Sequence, residues 1–295
     1  MNGKQIIVIA VVLVISGYLY FQPVKGLTKP QTAKQTSQMA AAGASRATAK
    51  VTVDQVSAPA KAAIGAALTA TITDLETQLK NASSDADKLG LQKKLAKQWF
   101  DDNQPAPAAF YYMEVAKKEN SFDDWMNAGN RFNEAYKGTQ DTAVQPAFVA
   151  NAIASFKNAV KLQPENLDAK TGLGVAYVNE TASGITDPDG GSPMQGIMLL
   201  LEVVKKDPKN FKANLNLGLF AFQSRQYDKA ISRLKTAIAL APKEELIEPY
   251  FFLAESYKQL GEKKEAIEAY QKCRQMIADP VVDQKIDQYI KELKN

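Results

Sequence analysis

The chain has 295 residues, no histidine, one cysteine and a formal net charge of +4. Without histidine it lacks the usual general base near neutral pH, and one cysteine excludes an intramolecular disulfide. Residues 1–53 hold six basic and no acidic residues, which leaves 30 basic and 32 acidic residues for the rest of the chain. That body has no excess of positive charge for a phosphate backbone, so we expect no nucleic-acid partner.

A hydrophobic run from Ile6 to Phe21 predicts one transmembrane helix, with residues 1–22 as an N-terminal membrane anchor. Such a helix spans about 24 Å, which fits a locally thinned bilayer. A cleaved signal peptide is disfavoured because no small-residue cleavage site follows the run closely. The very short N-terminal tail favours a single-pass protein with a periplasmic or extracytoplasmic body, whereas the lysines at positions 25, 29 and 34 favour the opposite orientation.

Residues 23–58 are rich in Ala, Thr, Ser, Gln and Lys, which predicts a disordered linker. A helical repeat domain is predicted over residues 59–295. It opens with an apolar stripe at helical spacing that predicts one helix over residues 60–80, formed by Ile64, Leu68, Ile72, Leu75 and Leu79. Ser83 or Ser84 is the expected N-cap of the next helix.

A repeat of about 34 residues follows, with predicted copies at 89–121, 122–166, 167–210, 211–246 and 247–279 and a capping helix at 280–295. The copy from Phe211 shows the pattern most clearly, with Leu217, Gly218, Ala230, Ala237 and Pro242 at the marker positions. Small residues let paired helices approach, and the proline stops the second helix. Insertions near 137–147 and 181–193 are expected to lengthen turns within two of the hairpins.

These offsets resemble the tetratricopeptide repeat, and the chain is similar to membrane-anchored bacterial proteins of that family. The resemblance implies an all-α fold, a right-handed superhelix of helix-turn-helix repeats with a capping C-terminal helix, preceded by the transmembrane helix. It also implies a partner-binding groove on the first helix of each repeat. The residues at its positions change from polar to apolar along the chain: Lys93, Lys97, Asn127, Asn130, Asn133, then Val175, Leu215, Leu219, Phe222 and Phe251.

Two interpretations of the apolar groove positions stay open. They bind an amphipathic helix or an apolar peptide, or they pack against neighbouring helices. Some members of the family hold a terminal carboxylate in this groove. Lys93 and Asn127 match two of those positions, but Asp168 and Gly172 replace the basic residues of the third helix.

We find no pattern for catalysis, for a cofactor or for a metal ion. The glycines of Gly172-Leu173-Gly174 lie within a predicted helix, and the acidic segment at 187–192 lacks the ligands that complete a calcium loop. Cys273 occupies a small-residue position and is expected to be buried.

The sequence thus predicts a membrane-tethered scaffold, possessing no enzyme activity, that binds a protein or peptide partner as an assembly or chaperone-assisting factor. The alternatives are a structural spacer or self-associating array, and an enzyme built on an insertion loop.

Overall fold

The computed structural model describes residues 51–183, 192–276 and 280–294. The expected anchor at 1–22 and most of the insertion near 181–193 lie outside the described residues. Within the described ranges the secondary structure is helical, with thirteen α-helices, one short 3-10 helix and no strand. None of these helices is long and apolar enough to cross a bilayer. The prediction of an all-α body is confirmed.

The described residues form two compact units, one ending at Ala241 and one beginning at Pro242. Ten helices belong to the first unit: α1 Val53–Ile64, α2 Ala66–Asn81, α3 Asp85–Asp101, α4 Pro105–Glu119, α5 Phe122–Gly138, α6 Gln145–Leu162, α7 Leu167–Ser183, α8 Pro193–Lys206, α9 Phe211–Gln223 and α10 Tyr227–Leu240. The second unit holds α11 Ile247–Leu260, α12 Lys263–Gln275 and α13 Pro280–Lys294.

The N-terminal edge of the body differs from the prediction in two ways. Helix α1 begins at Val53, inside the stretch assigned to the disordered linker, because Thr52 and Gln55 form a capping box and Val56 and Ala60 are buried. The expected single helix at 60–80 is two helices. Gly65 separates them with a φ of 83°, a left-handed conformation that glycine adopts without the steric cost of a side chain.

Local sequence signals set the ends of the helices. The Ser84 hydroxyl accepts a hydrogen bond from the backbone N–H of Asp87 at 3.0 Å, so Ser84 is the N-cap of α3, as expected. Prolines follow the C-terminal ends of three helices. Helices α6, α8 and α10 each end two residues before Pro164, Pro208 and Pro242, because a proline within a helix has no N–H to donate and clashes with the preceding turn.

Glycines allow close helix contacts in the first unit. A Cβ atom built on Gly196 of α8 would lie 2.4 Å from the carbonyl oxygen of Gly174 on α7. The ring of Phe156, which is fully buried, lies between α5 and α7 where they expose Gly129 and Gly172. Neither position has room for a side chain. These contacts confirm the prediction that small residues let the paired helices approach.

The turn between α5 and α6 carries the first expected insertion. Residues 139–144 join the two helices, and Thr139 and Asp141 stabilise this turn through hydrogen bonds that their side chains accept from backbone N–H groups. The insertion therefore lengthens a turn within a hairpin, as predicted.

An aromatic cluster organises the second unit. The ring of Tyr270 on α12 lies 6.2 Å from that of Phe251 and stacks on Tyr289 of α13 at 5.6 Å. The Tyr270 hydroxyl donates a hydrogen bond to the buried carboxylate of Glu255. Cys273 is fully buried, as expected, and burial raises the pKa of its thiol to about 12.

Candidate partner-binding cleft

A cleft of about 440 Å³ lies among α3, α4 and α5, and two of the predicted polar site residues line it. Lys93 and Lys97 stand one turn apart on α3. The other lining residues are Phe100, Asp101, Tyr112, Val115 and Asp124. The structure therefore places two of the five predicted polar residues in a concave surface, and Asn127, Asn130 and Asn133 are not among the residues that line it.

Each lysine of the cleft has a carboxylate partner. Lys93 Nζ lies 2.6 Å from Oε1 of Glu119, and Lys97 Nζ lies 2.5 Å from Oδ2 of Asp101. The hydrogen bond and the charge of Asp101 raise the pKa of Lys97. Ion pairs this exposed contribute little to stability. Separating either ion pair therefore costs little free energy.

An aromatic platform lies beside these lysines. The Phe100 side chain is 45% exposed, and the guanidinium of Arg131 on α5 lies 4.6 Å from the centre of its ring. Such cation–π contacts stabilise by about 0.5–1 kcal/mol at exposed sites. Arg131 is also held by Glu134 at 2.6 Å. Arginine thus covers one face of an exposed ring, and the platform is both apolar and charged.

Tyr112 of α4 contributes a half-buried hydroxyl group to the cleft. Its pKa is raised mainly by burial. The positive charges of Arg131 and Lys97 lower this pKa, and the negative charges of Asp101 and Asp124 raise it. The neutral hydroxyl can donate and accept hydrogen bonds at physiological pH. The cleft thus offers a ring, a hydroxyl and charges of both signs.

Sequence reasoning missed Phe100, Tyr112 and Arg131. One signal was present: Lys93, Lys97 and Phe100 follow the spacing i, i+4, i+7, which places them along one face of α3. The family resemblance implies groove positions at Lys93 and Lys97, and Phe100 extends their face of α3 by one turn.

The three asparagines of α5 have different surroundings. Asn127 is exposed and Asn130 is half-buried. Asn133 donates a long hydrogen bond of 3.4 Å to the carbonyl oxygen of Gly172, and its Oδ1 is buried without a hydrogen-bond partner among the described residues. Asn133 therefore connects α5 to α7.

The later, apolar part of the predicted groove is mostly interior. Val175, Leu215, Leu219 and Phe251 are only 4–8% exposed. The Phe222 ring lies 5.7 Å from that of Tyr227. Of the two interpretations left open by the sequence, the burial of these four residues favours the one in which they pack against neighbouring helices. In the second unit, Tyr289 of α13 lies against Phe251.

No group of three or more His, Cys, Asp or Glu side chains that could hold a metal ion occurs in the described ranges. The cleft residues are suited to hydrogen bonds, ion pairs and ring contacts. Helix pairs that follow one another along the chain place this fold in the class of helical repeat proteins.

The comparisons with known proteins match part of the chain to one repeat family. The sequence model described as tetratricopeptide repeat matches residues 211–278. Anaphase-promoting complex subunit 3 of Dictyostelium discoideum is 34% identical over 99 residues, which are 31% of this chain and 10% of that protein. The chain thus matches only about a tenth of the length of that relative. Residues 211–278 of this chain are thus similar to the tetratricopeptide repeat.

Two solved structures share the fold. A thermophilic tetratricopeptide repeat protein of Thermus thermophilus aligns with a TM-score of 0.52 at 20% identity, covering 70% of this chain and 98% of that one. A tetratricopeptide repeat protein of Parabacteroides merdae aligns with a TM-score of 0.51 at 15% identity, covering 77% of this chain and 82% of that one. Tetratricopeptide repeats generally mediate protein–protein interactions, and proteins built from them are usually scaffolds without enzyme activity.

Proposed function

We propose that this chain is a membrane-tethered scaffold that binds a segment of a partner protein in the cleft of α3, α4 and α5, and that it assists the assembly or folding of a membrane complex. The observation that carries the proposal is the exposed Phe100 ring between the lysines of α3 and Arg131 of α5. A large exposed aromatic side chain in a concave surface is a typical anchor point for a partner.

The chemistry of the cleft describes the segment that fits it. An apolar or aromatic side chain of the partner would cover Phe100 and Tyr112, excluding water from both rings. Charged side chains on either side of this residue would form new ion pairs in place of the Lys93–Glu119 and Lys97–Asp101 pairs. The bound segment is therefore a short peptide with one bulky side chain flanked by charges.

Tethering is supported by the sequence of the N-terminal segment. The run from Ile6 to Phe21 is apolar enough to anchor the chain, and the region that follows it is rich in small and polar residues. In the proposed arrangement the repeat domain lies on the extracytoplasmic side. A reporter active only outside the cytoplasm, fused after Asn295, should be active, whereas activity of a cytoplasmic reporter at that position would reverse the orientation.

The binding proposal is tested by substitution within the full chain. Phe100→Asp together with Lys97→Glu changes two exposed side chains and should leave the helices folded. Affinity purification from membranes, followed by quantitative mass spectrometry, should show proteins that are retained by the wild type and lost from this variant. Lys80→Glu, an exposed charge reversal on α2, is the matched control and should retain them. Equal retention by all three chains would overturn the cleft as the binding site.

A further inference from the structure

Helix α8 carries an exposed apolar ridge formed by Met194, Met198 and Leu201. Their side chains are 67%, 63% and 44% exposed. The spacing of four and three residues places them on one face of the helix. We call these three residues the α8 ridge.

The opposite side of α8 already anchors the helix in the fold. Gly196, Leu200 and Val203 are buried there, and Leu200 and Val203 belong to a core cluster that also contains residues of α7 and α9. An ordinary surface helix has one apolar stripe and a polar remainder. Because α8 is apolar on both sides, the packing of the hairpin does not account for the α8 ridge.

The side chains of the α8 ridge suit a helical partner. Methionine is unbranched and polarizable, so it adapts to the surface that covers it and is frequent at binding surfaces. The ridge extends over two helical turns, about 10 Å at 1.5 Å per residue. That length matches the contact that two crossing helices make when a ridge of one enters a groove of the other.

Charge at the end of α8 indicates which helix fits. The exposed Lys205 continues the face of the ridge by one turn, and Lys209 follows just beyond the helix. Neither forms a salt bridge within the described parts of the chain, whereas Lys206 is paired with Glu165 at 2.5 Å and with Glu202 at 3.3 Å. The neighbouring carboxylates are thus engaged, and two lysines remain for acidic groups of a partner.

We propose that the α8 ridge binds an acidic amphipathic helix of a partner protein, whose apolar stripe covers Met194, Met198 and Leu201 and whose carboxylates reach Lys205 and Lys209. A lipid surface fits less well. Interfacial helices usually present aromatic or leucine side chains, and anionic lipid is recognised by four to eight clustered basic residues. This face has no aromatic residue and offers only two such lysines.

Fluorescence anisotropy tests the proposal with the full chain and two labelled helical peptides of 18 residues. Both peptides carry one leucine stripe, and they differ only in bearing glutamate or lysine on its flanks. The acidic peptide should bind, and Met194→Ser with Met198→Ser should weaken its binding at least tenfold. Val281→Ser, which changes a side chain that is 74% exposed in the second unit, is the matched control and should leave binding unchanged.

A second variant keeps the test independent of the methionines. Lys205→Glu with Lys209→Glu should transfer the preference from the acidic to the basic peptide, and thermal melting should show that all variants remain folded. The proposal is overturned if neither peptide binds, if both bind equally, or if the methionine substitutions have no effect. Binding to vesicles containing phosphatidylglycerol, without binding to either peptide, would assign the ridge to a lipid surface and would also overturn it.

Discussion

The contact between Gly196 of α8 and Gly174 of α7 predicts a strong effect of one added methyl group. In Gly196→Ala the new Cβ would meet the carbonyl oxygen of Gly174 at 2.4 Å and the side chains of Tyr177 and Val178 at 3.0 Å. Ordinary contacts of a Cβ atom begin near 3.4 Å. Because the nearest obstacle is backbone, α7 and α8 must separate before the methyl group fits.

Two opposing terms set the size of the effect. Alanine is favoured over glycine inside a helix by about 0.5–1 kcal/mol. Overpacking a close contact costs about 1–3 kcal/mol, and a clash with backbone belongs at the upper end of that range. We expect Gly196→Ala to lower the free energy of unfolding by about 2 kcal/mol. For a domain of roughly 200 residues this change lowers Tm by about 4–8 °C. Circular dichroism on heating measures the shift in Tm, and circular dichroism in urea measures the free energy of unfolding.

Gly90→Ala is the matched control. Gly90 lies within α3, and a Cβ built there meets no atom within 4 Å. Because only the higher helix propensity of alanine acts at this position, the free energy of unfolding should rise by about 0.5–1 kcal/mol. The variant should therefore melt at a slightly higher temperature than the wild type. A Gly196→Ala protein as stable as the wild type, or a shift of both variants in the same direction, would refute the tight packing of α7 on α8.

Further predictions concern stability and reactivity. Phe156→Ala should cost about 3–5 kcal/mol in urea denaturation, because the ring is fully buried between two helices. Ser121→Ala should cost about 1 kcal/mol in the same assay through loss of the N-cap of α5. Leu219→Asp should unfold the first unit at a markedly lower temperature, because the side chain is buried. Cys273 should resist a thiol reagent at pH 8 until the chain unfolds. Since its folded pKa is raised to about 12, its contribution to stability should be intact below pH 9 and decline as the pH rises above 9.

The repeat pattern predicted much of the body because its signals are local. The serine before α3 caps that helix, and prolines follow α6, α8 and α10 at a constant distance. Small residues at repeat positions are visible directly in the sequence, and Gly174 lies where α7 and α8 are in close backbone contact. Each of these effects acts within one or two turns of the residue that causes it.

The site was predicted less completely because burial depends on distant parts of the chain. The positions of Val175 and Leu219 in the repeat indicate a groove, but their exposure depends on how closely successive helices pack. The same limit applies to Phe100, whose exposed ring depends on the position of Arg131 on another helix. At the N-terminal edge, the apolar stripe continues across Gly65, so periodicity alone did not show that the helix ends there.

The most direct test of the binding cleft is site-specific crosslinking in cells. A photoreactive phenylalanine analogue at position 100 replaces a ring that is already exposed in the cleft, and the same analogue at Gln140 lies on the exposed turn after α5. We predict a discrete crosslinked protein from position 100, none from position 140, and loss of the product when Lys97→Glu is added. Equal crosslinking from both positions, or a product that is unaffected by Lys97→Glu, would contradict binding in this cleft.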